Sequence, residues 1–499
     1  MTKHILAVDG GTTSVRTLLL TDKYDIVDTA QKEVTQHYPH SGWIEHDPEE
    51  LVSFQLETMR AVLRNNGIHP SDVHAVSITN QRETALVWDR HTGEPIYNAI
   101  VWASRQSNGI IEQWREKGLD PIIREKTGLI SDAYYSASKI AWILDHITGA
   151  RERAERGELM AGTVDSWLIW NFTGRKRFVT DVSNASRTQM FNIHTGDWDD
   201  ELLAAYGIPR RILAEVLPSD AEFGNLESTF GSPIPIASVM GDQQAGLFGQ
   251  ACFSKGQTKM SYGTSGVLVM NTGGTPRLVD GVTASTAWQA KGETTYDIEG
   301  VVFSMGKTMQ WLRDDMKLIH HATDSEWYGG QVSSTHGVYL VPAFTGLAAP
   351  HWDPYARANI VGMSNATTRL HIIRAAVESM AYQTRDLVDA TQTDKDIRIP
   401  ELRVDGGAVN NNMLCQLQAD VLGIPVIRPR DTEATALGAA WLAGLSTGLL
   451  GGLDEISSLW TVDRVFEPQI SDDQREEMYH GWRLAVDSAK GWAREVSSV

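Results

Sequence analysis

Asp9-Gly10-Gly11-Thr12-Thr13-Ser14, followed by Arg16, joins a hard carboxylate ligand to two glycines, three hydroxyls and a guanidinium. A carboxylate at a strand end is the type of ligand that holds Mg²⁺ near phosphates, usually through water. The glycines let backbone N–H groups approach an anion closely, and the hydroxyls of Thr12, Thr13 and Ser14 add donors. A plain hairpin whose glycines only make the turn has the same local pattern, and related pieces further along the chain separate the two readings. A second carboxylate, Asp242 in Gly241-Asp242-Gln243-Gln244, follows the apolar run Pro233 to Met240. There it sits at a strand end and a helix N-terminus, where the dipole favours the ionised form. That suits a general base, although an N-cap uses Asp in the same place.

Polar and aromatic residues gather at other strand ends. Thr79-Asn80-Gln81-Arg82-Glu83-Thr84 lies between apolar Val73 to Ile78 and Ala85 to Trp88. Six polar residues in that position are costly unless they meet a polar ligand. They would stand at the C-terminal end of a strand, where ligands bind in open α/β sheets. Arg82 and Glu83 are also readable as a surface pair. Trp102, after Ile100-Val101, offers a flat face suited to the C–H side of a polyol as well as to a core. Tyr134-Tyr135 forms a further polar-aromatic cluster.

The elements that must position these groups are legible in outline. Ile5 to Val8 and Thr17 to Leu20 read as a hairpin about the glycine turn. Asp47-Pro48-Glu49-Glu50 starts a helix that Gly67 ends. Lys139 to His146 reads as a helix, and Val164 to Trp170 and Ser186 to Phe191 read as strand or helix-edge core. Asn184-Ala185-Ser186-Arg187 carries no signal of its own, and Gly149 to Gly157 has the alternating charges of a solvated face. Thr258 to Thr272 repeats the opening pattern about Gly263-Thr264-Ser265-Gly266, about 250 residues on, which suggests a duplicated architecture. After Leu402-Arg403-Val404 comes a third turn, Asp405-Gly406-Gly407 through Asn412, leading into a helix from about Met413 to Leu422. Leu370 to Ala390 has one apolar face, and Ala434 to Gly444 is a small-residue helix. Gly306-Lys307-Thr308 is no P-loop: five residues, not four, separate Gly300 from Gly306. His320-His321 reads as surface.

A chain of 499 residues exceeds one ordinary core, and roughly two to four domains are expected. Hydrophobic content of 42% and charged content of 21% are those of a soluble globular protein. The formal net charge of −19 argues against nucleic acid or an anionic membrane as partner. Two cysteines, Cys252 and Cys415, imply no disulfide framework and a reducing compartment. Met1-Thr2-Lys3-His4 leads straight toward a strand, and nothing approaches the ~20 apolar residues of a membrane span. A cytoplasmic location is expected.

Together, VDGGTTSVR, ITNQRET, IYNAIVW, TGLISDAYY, NASRTQMFNIHT, GDQQAGLFGQ, VPAFTGLAAPHWDPYAR and RVDGGAVNNN resemble the FGGY family of carbohydrate kinases, and within it the members that phosphorylate glycerol. The resemblance implies an α/β fold of two RNase H-like domains of the sugar kinase, Hsp70 and actin superfamily, residues 1–250 and 251–499, with an ATP cleft between them. It implies transfer of phosphate from ATP to glycerol, giving sn-glycerol 3-phosphate, in a cytoplasmic homo-oligomer (dimer or tetramer). Carried over by motif, Arg82, Glu83, Trp102, Tyr134, Asp242 and Gln243 hold the polyol. Asp242 is the catalytic base. Thr12, Thr13, Ser14, Arg16, Thr264, Gly306, Gln310, Gly407 and Asn411 meet the nucleotide, and Asp9 and Asp242 serve Mg²⁺. Proteins of the superfamily that couple ATP to protein partners are a poor alternative, because ITNQRET and Gly-Asp-Gln-Gln have no use there.

Three departures mark this chain. Gly10 stands where the glycerol-phosphorylating members usually have Gln. Their second loop usually reads Gly-Thr-Gly-x-Phe, whereas here Gly263-Thr264-Ser265-Gly266-Val267 looks more like the xylulose kinases. Val267 in place of a pocket Phe leaves room for erythritol, threitol or xylulose, the alternative substrates. Phe223 to Pro233 has neither the arginine loop nor the histidine that serve control in some members, so neither control is expected.

Overall fold

The computed structural model describes residues 3–226, 230–392 and 396–496. Met1 and Thr2 lie outside the described residues, as do residues 227–229 of the segment bearing on control.

The opening hairpin forms as its pattern requires. β1 (His4–Gly10) pairs antiparallel with β2 (Ser14–Thr21), placing Asp9 opposite Arg16. β3 (Ile26–Glu33) pairs antiparallel with β2, while β4 (Val73–Asn80) and β5 (Ile236–Gly241) add parallel strands on the other side. The sheet order is β5-β4-β1-β2-β3. In the second half, β6 (Thr258–Tyr262) and β7 (Gly266–Gly273) make the second hairpin. β8 (Thr283–Ala290) and β9 (Glu293–Val302) follow, then β10 (Leu402–Asp405), β11 (Val426–Pro429) and β12 (Val462–Phe466), in the order β8-β9-β7-β6-β10-β11-β12. The segment β9-β7-β6-β10-β11 repeats β3-β2-β1-β4-β5 strand for strand, with the same two antiparallel and two parallel pairings. The duplication expected from two glycine turns is therefore a duplication of the whole sheet.

Helix α1 (Pro48–Asn66) starts where expected, with the Asp47 carboxylate accepting from the N–H of Glu49, and ends at Gly67 in the left-handed region. The other helices used below are α2 (Asp242–Gly249), α3 (Gly306–Asp314), α4 (Arg369–Thr391), α5 (Asn412–Leu422) and α6 (Ala434–Thr447). Residues 164–172 resolve into a helix, whereas of residues 186–191 only Phe191 enters a strand pair. α4 departs from its one-faced reading: Glu378, Gln383, Arg385 and Asp386 are buried along with the apolar stripe. They tolerate burial because each has a partner, such as Arg374 for Glu378 and Tyr479 and Trp482 for Asp386. His320 and His321 are exposed.

α6 belongs to the second half of the chain, yet it packs against β1, β4 and β5 of the first sheet and crosses α2. Small residues make that crossing possible. A Cβ on Gly249 would stand 1.8 Å from the Ala434 carbonyl oxygen, and one on Gly438 2.0 Å from that of Ala245. α2 carries Asp242 and Gln243, so this backbone contact ties the candidate site to both halves. Among the described residues no helix is long and apolar enough to cross a membrane.

Candidate active site

Arg82 is buried to 3% exposure at the end of the β4 turn. It reaches its position only because Gly241 has no side chain: a Cβ there would meet Arg82 Cδ at 2.5 Å. The guanidinium spans several acceptors. Nε lies 3.0 Å from Asp242 Oδ1, an ion pair too bent to count as a hydrogen bond. Nη1 and Nη2 donate to the two Glu299 oxygens at 2.5 and 3.2 Å, and Nη1 also donates to Gln244 Oε1 at 3.2 Å. Burial works against its charge, but Glu299, Glu83 and Asp242 together hold it protonated well above its usual range.

Glu83 adopts φ +60, a left-handed backbone that a non-glycine residue rarely keeps without support. The support is on hand: Ser136 Oγ donates to its carbonyl at 3.0 Å, and Arg187 Nε donates to Oε1 at 2.7 Å. Burial raises the Glu83 carboxyl pKa, with Arg82 and Arg187 opposing it. Arg82 and Glu83 are thus no surface pair, and at 4.0 Å their own contact is the weakest in the group. Trp102 and Tyr134 face one another with ring centroids 5.4 Å apart. Burial, then Glu83, pushes the Tyr134 phenol well above its usual pKa, which keeps it a neutral donor.

Asp242 heads α2 with its side chain 30% exposed. Its Oδ1 also accepts from the Gln243 N–H at 2.7 Å, which leaves Oδ2 to receive a proton. Gln243 Oε1 accepts from Lys259 Nζ at 2.5 Å. Arg82 and Glu83, both buried, and Asp242 and Gln243, both half-buried, are thus joined in one network, and Tyr134 feels its charges.

The nucleotide candidates fall in two groups. In the first hairpin, Arg16 bridges Asp9 Oδ2 at 3.1 Å and Glu433 Oε2 at 2.8 Å. Thr12 Oγ1 accepts from Trp102 Nε1, and Thr13 is exposed. In the second, Thr264 is exposed at the hairpin tip while its carbonyl accepts from the N–H groups of Met305 and Lys307. The Gly306 N–H donates to the Gly263 carbonyl, so the start of α3 is docked on the second hairpin. Gln310 is half-buried on the same helix. Gly406, at φ +91, lies where a Cβ would meet the Tyr262 carbonyl oxygen at 2.5 Å, and Gly407 faces open space. Asn411 is engaged at both ends: Oδ1 caps α5 through Leu414 N–H, and Nδ2 donates to Ser325 Oγ at 3.2 Å.

The donors suit Mg²⁺ bound mainly by water and phosphate. Burial raises the Asp9 carboxyl pKa, Arg16 opposes the rise, and the nearby Asp242 charge adds to it. Among the described residues no group of three or more His, Cys, Asp or Glu could cage a metal. Mg²⁺ keeps several waters and commonly takes only one or two carboxylates.

Sequence reading missed Arg187 and Glu299. Arg187 donates to Glu83, to Glu299 Oε1 at 2.7 Å and to Thr283 Oγ1 at 3.4 Å, and its guanidinium carbon lies 5.3 Å from the Tyr135 ring centre. It sits in the Asn-Ala-Ser-Arg stretch set aside as carrying no signal. The available clue was an arginine inside a run of small and apolar residues, which demands a buried anion.

The N-terminal domain description of the FGGY family of carbohydrate kinases matches residues 4–249, and the C-terminal one matches residues 258–447. The chain is 50% identical over 496 residues to a glycerol kinase of Carboxydothermus hydrogenoformans, covering 99% of each chain. It is 50% identical over 494 residues to glycerol kinase 2 of Thermotoga maritima, covering 99% of this chain and 100% of the relative. Among solved structures, Plasmodium falciparum glycerol kinase with ADP superposes with a TM-score of 0.92 at 32% identity, over 98% of each chain. With both domain descriptions matched and relatives aligned from end to end, this chain belongs to the FGGY family of carbohydrate kinases.

Proposed function

We propose that this protein transfers the terminal phosphoryl group of ATP to a primary hydroxyl of glycerol, giving sn-glycerol 3-phosphate and ADP. The observation that carries the chemistry is Asp242 Oδ1 held 3.0 Å from Arg82 Nε on a side chain that stays 30% exposed. Arg82 offers donors and Glu83 an acceptor to vicinal hydroxyls, while the Trp102–Tyr134 pair covers the carbon face. Asp242 takes the proton as the hydroxyl oxygen forms its bond to the γ-phosphorus and the bond to the bridging oxygen of ADP breaks. General-base help of this kind is worth ~10²–10⁴ in rate.

Thr12, Thr13, Ser14 and Arg16 on the first hairpin and Thr264, Gly306, Gln310, Gly407 and Asn411 on the other side serve the nucleotide. Asp9 and Asp242 are the residues that would hold Mg²⁺, which would supply charge neutralisation on the phosphates. Glycerol kinases that are 50% identical from end to end support glycerol as the substrate.

Val267 supports tolerance of longer polyols. It is 7% exposed and stands between Ser261 and Val301 on the sheet face that carries Glu299. The test is a coupled ADP-release assay with glycerol, erythritol, threitol and xylulose. Glycerol is expected to give the highest kcat/KM, and a ketose ahead of it would overturn the reading.

A further inference from the structure

Two groups that hold the polyol residues come from the second sheet. On its face toward the first domain, Lys259 of β6, Val269 of β7 and Glu299 of β9 stand opposite one another in a single cross-strand row. Side chains in such a row project from the same face. The outer two are about 10 Å apart, two strand spacings. At one end Glu299, fully buried, receives both Arg82 and Arg187, and Arg187 passes the hold on to Glu83. The two guanidiniums outweigh the burial that would protonate Glu299, so its carboxyl is held below the usual range. At the other end Lys259, 1% exposed, donates to Gln243 Oε1 and to Ser261 Oγ at 2.7 Å.

An ammonium can only donate. The Gln243 atom that meets Lys259 is therefore the carbonyl oxygen, and the amide NH₂ is turned away as a donor. A bidentate carboxylate likewise fixes the plane of the Arg82 guanidinium. We propose that Lys259 and Glu299 are positioning residues for the polyol. The second domain thereby orients the amide and guanidinium with which the first domain grips its substrate. This rests on the reading of Arg82, Glu83 and Gln243 as polyol contacts.

The experiment measures glycerol and MgATP affinity by calorimetry, together with kcat, in Glu299→Gln, Lys259→Met and Arg82→Ala, each checked for fold by circular dichroism. Displacing a positioned group by about 1 Å costs on the order of 100-fold. Glu299→Gln is expected to weaken glycerol binding by ~10–100-fold and Lys259→Met by a smaller factor, with MgATP affinity unmoved. Equal losses for glycerol and MgATP, or none, would overturn the proposal and assign the row a structural role. If Glu299→Gln does not fold, Glu299→Asp keeps the charge and shortens the reach, and is held to the same outcome. Arg82→Ala separates the two levels: if it leaves glycerol affinity intact, the polyol site itself is misassigned. Weakened binding in Arg82→Ala with normal binding in the row variants would remove the positioning role alone.

Discussion

Trp102 Nε1 donates a 2.9 Å hydrogen bond to Thr12 Oγ1, so the aromatic residue proposed to cover the polyol is fastened to the hairpin proposed to meet the phosphates. An indole N–H can only donate. The Thr12 hydroxyl is therefore the acceptor, and its own proton remains available for a phosphate oxygen. Trp102→Phe keeps most of the ring and removes the donor. The loss of one neutral hydrogen bond, about 1 kcal/mol, is expected to raise the KM for glycerol and that for MgATP together by about 5-fold. Steady-state kinetics with each substrate varied in turn checks this, and a change confined to glycerol would break the link.

Asp242→Asn is expected to retain the fold, because Gly241 and the backbone of α2 are untouched. Turnover should fall by ~10²–10⁴, while calorimetric binding of glycerol persists. A kcat within a few-fold of the parent would remove Asp242 as the base.

Val267→Phe tests what the small residue does on the Glu299 face. Each buried methylene-equivalent is worth ~0.8 kcal/mol, and a one-methylene difference in a pocket discriminates by only ~10–200-fold. The substitution is expected to raise kcat/KM for glycerol and lower it for erythritol within that range. An unchanged ratio of the two would show that residue 267 does not face the substrate.

Asp165 yields a prediction about stability rather than turnover. Burial, and then the neighbouring Asp181, raises its carboxyl pKa to about 6, against the opposing hydrogen bonds from Thr163 and Thr180. A raised pKa in the folded state means that ionisation costs stability. The penalty is absent below the unfolded value near 4, grows as pH rises, and is complete above about 6. It amounts to at most about 3 kcal/mol, offset in part by the acceptor lost on Asp165→Asn. The variant is therefore expected to gain on the parent in Tm between pH 4 and pH 8. Calorimetric scans across that range check it, and a pH-independent difference would contradict it.

The two hairpins, the third glycine turn, α1 with its Asp47 cap and the seat of Asp242 at a strand end were all legible in the chain. Each is decided by residues within a few positions of one another: glycines for turns, alternating apolar runs for strands, Asp-Pro for a helix start. Their recurrence, together with the family motifs, pointed to a duplicated α/β kinase. What local pattern could not assign was who holds whom. Glu83 is the neighbour of Arg82 along the chain, yet the principal partner of Arg82 is Glu299, 217 residues away. Glu83 in turn is held by Arg187, 104 residues on. The same holds for Lys259, which looks like an ordinary charged strand residue until it is found buried against Gln243. An ion pair is decided within a few ångströms, and those distances are set only when the second sheet docks on the first in one register.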